Sequence, residues 1–219
     1  DLAQDDDGID LRPLINEIVA AGPEDQIALR GPRRYAARLE RREDHAHPAL
    51  ALRADAIYLV TGGVGALGLH VSRWLVTRGA RHLVLASRRG GADPQARSAT
   101  QTLEALGATV TVVAADVSRA EGVNALMTAI DALGRPLRGV VHAAGIDVPT
   151  PVRDLSVEGL RAVMAPKATG GWLLHERTRE QPLDFFVLFS SVASVLGSNG
   201  RLNRGCRLRN QARGAGHES

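Results

Sequence analysis

From Ile57 onward, short apolar runs alternate with stretches of helical period. The runs are "IYLVTG", "HLVLAS", "TVTVVAADV", "GVVHAAG" and "DFFVLFSS". Between the first four stand "ALGLHVSRWLVTRG", "QARSATQTLEALG" and "AEGVNALMTAIDALG"; a longer, partly helical stretch from about Ser156 to Glu180 precedes the last. Apolar runs without polar alternation are strands buried on both faces. Such strands alternating with helices specify a parallel, doubly wound α/β sheet. Aromatic residues are 3% of the chain and hydrophobic residues 44%, so its core is built from Val, Leu, Ile and Ala.

The residues ahead of this pattern read differently. "LRPLINEIVAAG" predicts a short helix closed by Gly22, and "DQIALR" and "RRYAARLER" predict two strands around Gly31-Pro32. "REDHAHPALALRADA" reads as a linker. Residues 1–53 are too few for an independent core and are expected to be an accessory piece packed on the domain that follows. The domain itself is expected over 54–200, and 201–219 as a basic, disordered tail.

Charge and cysteine usage narrow the classes. The net charge is +3, but residues 199–219 hold five Arg and one Glu, so the rest of the chain is slightly acidic. With no basic balance and no aromatic platform in the globular part, nucleic acid is not an expected partner. No run approaches the roughly 18 to 20 apolar residues of a membrane span. The single Cys206 fits a reducing, cytoplasmic setting, and no metal site is expected. The acidic opening "DLAQDDDGID" is no targeting peptide and reads as an excision point from a longer chain.

The first strand runs into Gly62-Gly63-Val64-Gly65-Ala66-Leu67-Gly68, in which Gly63, Gly65 and Gly68 match G-x-G-x-x-G between a strand and a helix. Missing side chains let the backbone turn tightly and approach a pyrophosphate, and the helix N-terminus offers unpaired N–H groups to it. The second strand ends in Ser87-Arg88-Arg89, where an NAD site would carry Asp or Glu; Arg suits the 2′-phosphate of NADPH, unless both are solvated surface arginines. Asp116, ending the third strand, reads equally as an adenine neighbour or as a cap for the next helix.

Lys167 is the only lysine in an Arg-rich chain. A retained ammonium among guanidiniums suggests a role for a compact point charge, against an accidental surface lysine. Ser190 and Ser191 follow the fifth strand at the carboxyl edge, where open α/β sheets bind ligands; a capping hydroxyl is the alternative for either.

In their order and spacing, "YLVTGGVGALG", "SRRG", "ADV", "HAAG", "APK" and "FFVLFSSVAS" resemble the ketoreductase domain of type I modular and iterative polyketide synthases, a branch of the short-chain dehydrogenase/reductase superfamily. The resemblance runs from about Asp25 to Gly200 and includes the accessory "DQIALRGPRRYAARL". It implies reduction by NADPH of a β-ketoacyl thioester on the phosphopantetheine arm of an acyl carrier protein, with other polyketide synthase domains as partners. It gives Lys167 the lysine role and Ser191 the serine role, beside Ser190. Gly62, Gly65, Leu67 and Gly68 take the pyrophosphate turn; Ser87 and Arg88, the 2′-phosphate; Asp116 and Val117, the adenine; Ala143, Ala144 and Gly145, the ribose and nicotinamide.

The chain departs from that family after "GSNG". Its tyrosine should fall near Arg204 and its asparagine near Leu208, and no tyrosine follows Tyr58. The Arg/Gly-rich tail looks like coding sequence read out of frame, since repeated GCC codons read two bases on become CGC, which encodes Arg; a genuine basic tail is the alternative. The last strands and the helix of the Tyr-Asn pair are expected to be missing, leaving the sheet incomplete and the chain inactive. The Leu-Asp-Asp fingerprint of one stereochemistry aligns with Asp147-Val148-Pro149, and the tryptophan of the other would sit near Leu196; neither matches. A non-catalytic, dinucleotide-binding remnant of a megasynthase is the competing expectation.

Overall fold

A computed structural model describes residues 11–20, 22, 24, 26–31, 33–41, 50–146, 148 and 150–191. The expectations at Pro32, Asp147, Pro149, Leu196, Arg204, Leu208 and the tail 201–219 lie outside these residues. The chain divides into two compact units, Asp1–Ala49 and Leu50–Ser219.

In the first unit, helix α1 (Arg12–Ala20) precedes a hairpin of β1 (Ile27–Arg30) and β2 (Arg33–Ala36), with Arg30 opposite Arg33. Gly31 takes the left-handed conformation that the turn requires, at φ 53°. Arg34 of β2 forks onto Glu17 of α1 through Nε (2.6 Å) and Nη2 (2.8 Å). No residue of α1 is buried.

The second unit carries β3 (Ile57–Thr61), α2 (Ala66–Thr77), β4 (His82–Ser87), α3 (Pro94–Glu104), β5 (Thr109–Ala114), α4 (Ala120–Asp131) and β6 (Leu137–His142). It continues with α5 (Val157–Met164), a π-helical turn over Ala165–Thr169, α6 (Gly170–Thr178) and β7 (Phe185–Leu188). All strand pairs in its sheet are parallel, in the order β5-β4-β3-β6-β7. The five apolar runs are these five strands, and the doubly wound α/β fold stands as expected. The order reverses beside β3, which opens a crevice at the carboxyl ends of β3, β4 and β6.

Alternation along β3 divides the core. Ile57 and Leu59 face α4 and α6, packing with Leu126, Ile130 and Leu174. Tyr58 and Val60 face α2 and α3, packing with Leu75 and Leu103. Each such aliphatic side chain, fully buried, contributes about 1.5–3 kcal/mol relative to exposure. Tyr58 stacks on Phe185 at 5.8 Å between ring centroids. Gly139 of β6 makes room for that ring, since a Cβ there would stand 2.3 Å from Phe185 Cζ. The Tyr58 phenol accepts the backbone N–H of Arg53 at 2.6 Å, and burial pushes its pKa up. Among the described residues no helix is long and apolar enough to cross a membrane.

Candidate functional site

The crevice is a cleft of about 890 Å³ along the carboxyl edge of the sheet. Its floor is the turn between β3 and α2. Gly62 has φ 66°, and a Cβ on it would lie 2.9 Å from the Ala143 carbonyl oxygen. At Gly68 a Cβ would lie 2.2 Å from the Gly62 carbonyl oxygen, so the first turn of α2 closes directly onto the loop. The N-cap, Gly65, offers no side chain, and α2 has no acidic residue in its first turn. The helical ladder starts at Leu69 N–H to the Gly65 carbonyl, leaving the N–H groups of Ala66, Leu67 and Gly68 ahead of it. Unpaired donors and a positive dipole end thus face the cleft.

The structure brings Gly62, Gly65, Leu67 and Gly68 to the cleft lining, with Ser87 and Arg88, Asp116 and Val117, and Ala143, Ala144 and Gly145. Gly63 stands beneath the lining: a Cβ there would meet Leu85 and the Val60 carbonyl at 2.8 Å. Its lack of a side chain serves the packing of loop on sheet.

At the end of β4 the two arginines separate. Arg89 pairs with Asp93 at 2.6 Å, and Asp93 is buried and caps α3 through the N–H of Gln95. Arg88 makes no ion pair or hydrogen bond with another described residue. Beside it, Ser87 Oγ is the one buried side-chain polar atom among the described residues without a hydrogen-bond partner. A buried orphan hydroxyl costs about 1–3 kcal/mol unless something fills its need.

Asp116 does not cap α4, whose N-cap is Arg119 without a side-chain hydrogen bond; it closes a local turn in the loop ahead of that helix. Its Oδ1 accepts from the Ser118 N–H (3.0 Å) and Oγ–H (2.7 Å). The Ser118 hydroxyl, more than any neighbouring charge, holds the carboxyl below its ordinary range. Oδ2 has no hydrogen-bond partner among the described residues, so the turn to Ser118 and a place on the cleft wall are compatible.

Lys167 lies in the π-helical turn between α5 and α6. Pro166 explains that turn. It has no N–H to give to Ala162, and its ring crowds that carbonyl, so the helix cannot continue in α register. The Gly170 N–H reaches back five residues to the Ala165 carbonyl instead. The Lys167 stem crosses Gly145, where a Cβ would lie 3.0 Å from Lys167 Cε. Lys167 is therefore at the cleft margin, outside its lining. Ser190 and Ser191 follow β7 on the same carboxyl edge, also outside the lining. Sequence reasoning missed Pro166 and Ala162, which line the cleft from the helical side, and His142, which supports it from below. The glycine pair after "APKAT" was the available signal for close packing there. Among the described residues no group of His, Cys, Asp or Glu could hold a metal.

These residues fit a dinucleotide: a turn that any Cβ would fill, a side-chain-free helix N-terminus, and an orphan hydroxyl beside an unpaired guanidinium. A doubly wound sheet with such a turn at its switch point defines a dinucleotide-binding domain. The KR domain family model matches residues 56–206. The chain is 42% identical to polyketide synthase GfsA of Streptomyces halstedii over 206 residues, which is 93% of this chain and 3% of that protein. An A-type ketoreductase from a modular polyketide synthase superposes with a TM-score of 0.73 at 41% identity, covering 87% of this chain and 40% of its own. A ketoreductase domain from the bacillaene assembly line superposes at 0.78 with 28% identity, covering 93% and 48%. The chain belongs to the KR domain family, the dinucleotide-dependent ketoreductases of polyketide synthases. It spans a small fraction of GfsA and less than half of each of these two structures.

Proposed function

We propose that residues 54–200 form the NADPH-binding half of a ketoreductase acting on a β-ketoacyl thioester carried by an acyl carrier protein. Residues 1–53 belong to its accessory subdomain in this reading. The observation that carries it is the juxtaposition of Ser87 and Arg88 at one end of the cleft. A 2′-phosphate accepts from both: the serine O–H donates to one oxygen, and the guanidinium forks onto others.

The remaining residues take roles consistent with that anchor. N–H groups at the start of α2 hold the pyrophosphate. Asp116 and Val117 border the adenine, and Ala143, Ala144 and Gly145 border the ribose and nicotinamide. When bound, the dinucleotide supplies a hydride. Lys167 places a positive charge beside the ribose, and Ser191 orients the substrate carbonyl by donating its hydroxyl proton. Carrier protein and other synthase domains are the partners, in a reducing, cytoplasmic setting.

A second reading, a dinucleotide-binding remnant without catalysis, is favoured by the tyrosines. Tyr58 is the last tyrosine of the sequence, and it is buried with its phenol engaged by Arg53. The test is NADPH consumption with a β-ketoacyl pantetheine thioester. The expected result is NADPH binding without measurable turnover; absence of binding would sink both readings, and robust turnover would sink the second.

A further inference from the structure

His142 ends β6 and is 4% exposed. Both ring nitrogens are engaged. Nε2 lies 2.8 Å from the Pro166 carbonyl oxygen, and Nδ1 lies 2.7 Å from Thr61 Oγ1. A carbonyl only accepts, so Nε2 carries the proton. Nδ1 is then the acceptor for the Thr61 hydroxyl, whose oxygen in turn accepts the Ala144 N–H at 3.3 Å. One directional chain therefore runs from the cleft loop at Ala144, through Thr61 and His142, to the π-helical turn.

Two further observations concern the fit of the ring. A Cβ on Gly170 would lie 3.4 Å from His142 Cε1, and one on Gly171 would lie 3.7 Å from Cδ2. These are ordinary contact distances, so the start of α6 packs directly against the imidazole. The Pro166 carbonyl immediately precedes Lys167 in the chain, so whatever fixes that carbonyl fixes the backbone from which Lys167 extends over Gly145. Burial also holds the His142 pKa below its usual 6.5, which keeps the ring neutral and able to accept at Nδ1.

We propose that His142 is a positioning residue: as the neutral Nε2–H tautomer it braces the Pro166 carbonyl and thereby sets the π-helical turn that presents Lys167 to the cleft. The strut stands on geometry alone; its use in reduction rests on the role given to Lys167 above.

The lone lysine makes the test direct. Reductive methylation of the 219-residue chain with a ¹³C label places one side-chain reporter, at Lys167, apart from the terminal amine. In the unmodified chain, long-range ¹H–¹⁵N spectra of the imidazoles near neutral pH should show His142 protonated at Nε2 only. Protonation at Nδ1, or an imidazolium, would overturn the proposal without any variant. His142→Phe should shift or split the Lys167 methyl resonance, and His142→Gln, which keeps a donor toward Pro166, should restore one signal close to the original. A Lys167 signal in His142→Phe superimposable on the parent would also overturn it. Should His142→Phe fail to fold, the tautomer measurement still decides. Added NADPH should move the Lys167 signal; no movement, with tautomer and variants as expected, would uphold the strut and sink the functional reading.

Discussion

Gly145 lies directly under the stem of Lys167, so close that a Cβ would stand 3.0 Å from Lys167 Cε. The neighbour is the far part of a flexible side chain, so Gly145→Ala displaces it cheaply. Thermal stability should change by no more than about 0.5 kcal/mol. NADPH affinity should fall roughly tenfold, the low end for losing one charge-assisted hydrogen bond. Calorimetric titration of the variant checks both the affinity and its separation from stability.

Gly68 is the contrasting case. A Cβ there meets backbone at 2.2 Å, and backbone cannot step aside as a lysine can. Gly68→Ala should cost at least the 1–3 kcal/mol typical of overpacking and should abolish NADPH binding by forcing the turn open. Urea unfolding and the same titration measure the two effects. Wild-type affinity in this variant would contradict the geometry given to the turn.

Cofactor discrimination should divide between the arginines. Arg88→Ala should reduce the preference for NADPH over NADH by about 1.5–3 kcal/mol, roughly tenfold to over a hundredfold. Arg89→Ala should reduce it less, because that guanidinium is tied to Asp93. Paired titrations with the two cofactors separate the residues. Equal losses would mean that the ion pair opens on binding.

The pH dependence of stability should carry a signature of His142. Its folded pKa lies below the usual 6.5, so between the two values the unfolded chain binds more protons. That contribution is complete above about pH 6.5 and is lost as pH falls below it toward the folded pKa. His142→Gln should flatten the denaturation profile in this window. Asp116 acts lower: its depressed pKa stabilises above the ordinary carboxylate range and is lost as pH falls through the folded value. Denaturant midpoints across pH for both chains check the assignment.

Much of this architecture is legible in the sequence because the central strands β3, β4 and β6 are buried on both faces and leave a strong pattern, while the edge strands β5 and β7 keep the apolar runs although they are only partly buried. The five strands read as apolar runs, and the glycine turn reads from its spacing between a strand and a helix. The π-helical turn does not read that way, since an apolar period cannot show a helix widening over Pro166. Nor does the sequence separate Arg88 from Arg89; only the approach of Asp93 does so. Gly63, part of the glycine pattern, belongs to the core side of the loop, because spacing alone does not say which glycine faces a ligand. The roles of Ser87 and His142 depend on which polar atoms are left over or satisfied in three dimensions, a property of the fold as a whole.

The most direct test of the central claim is calorimetric titration of the 219-residue chain with NADPH and, separately, NADH. The account predicts one site per chain, NADPH favoured by at least tenfold, and that preference diminished in Arg88→Ala. Equal affinity for the two cofactors, or no binding of either, would contradict it.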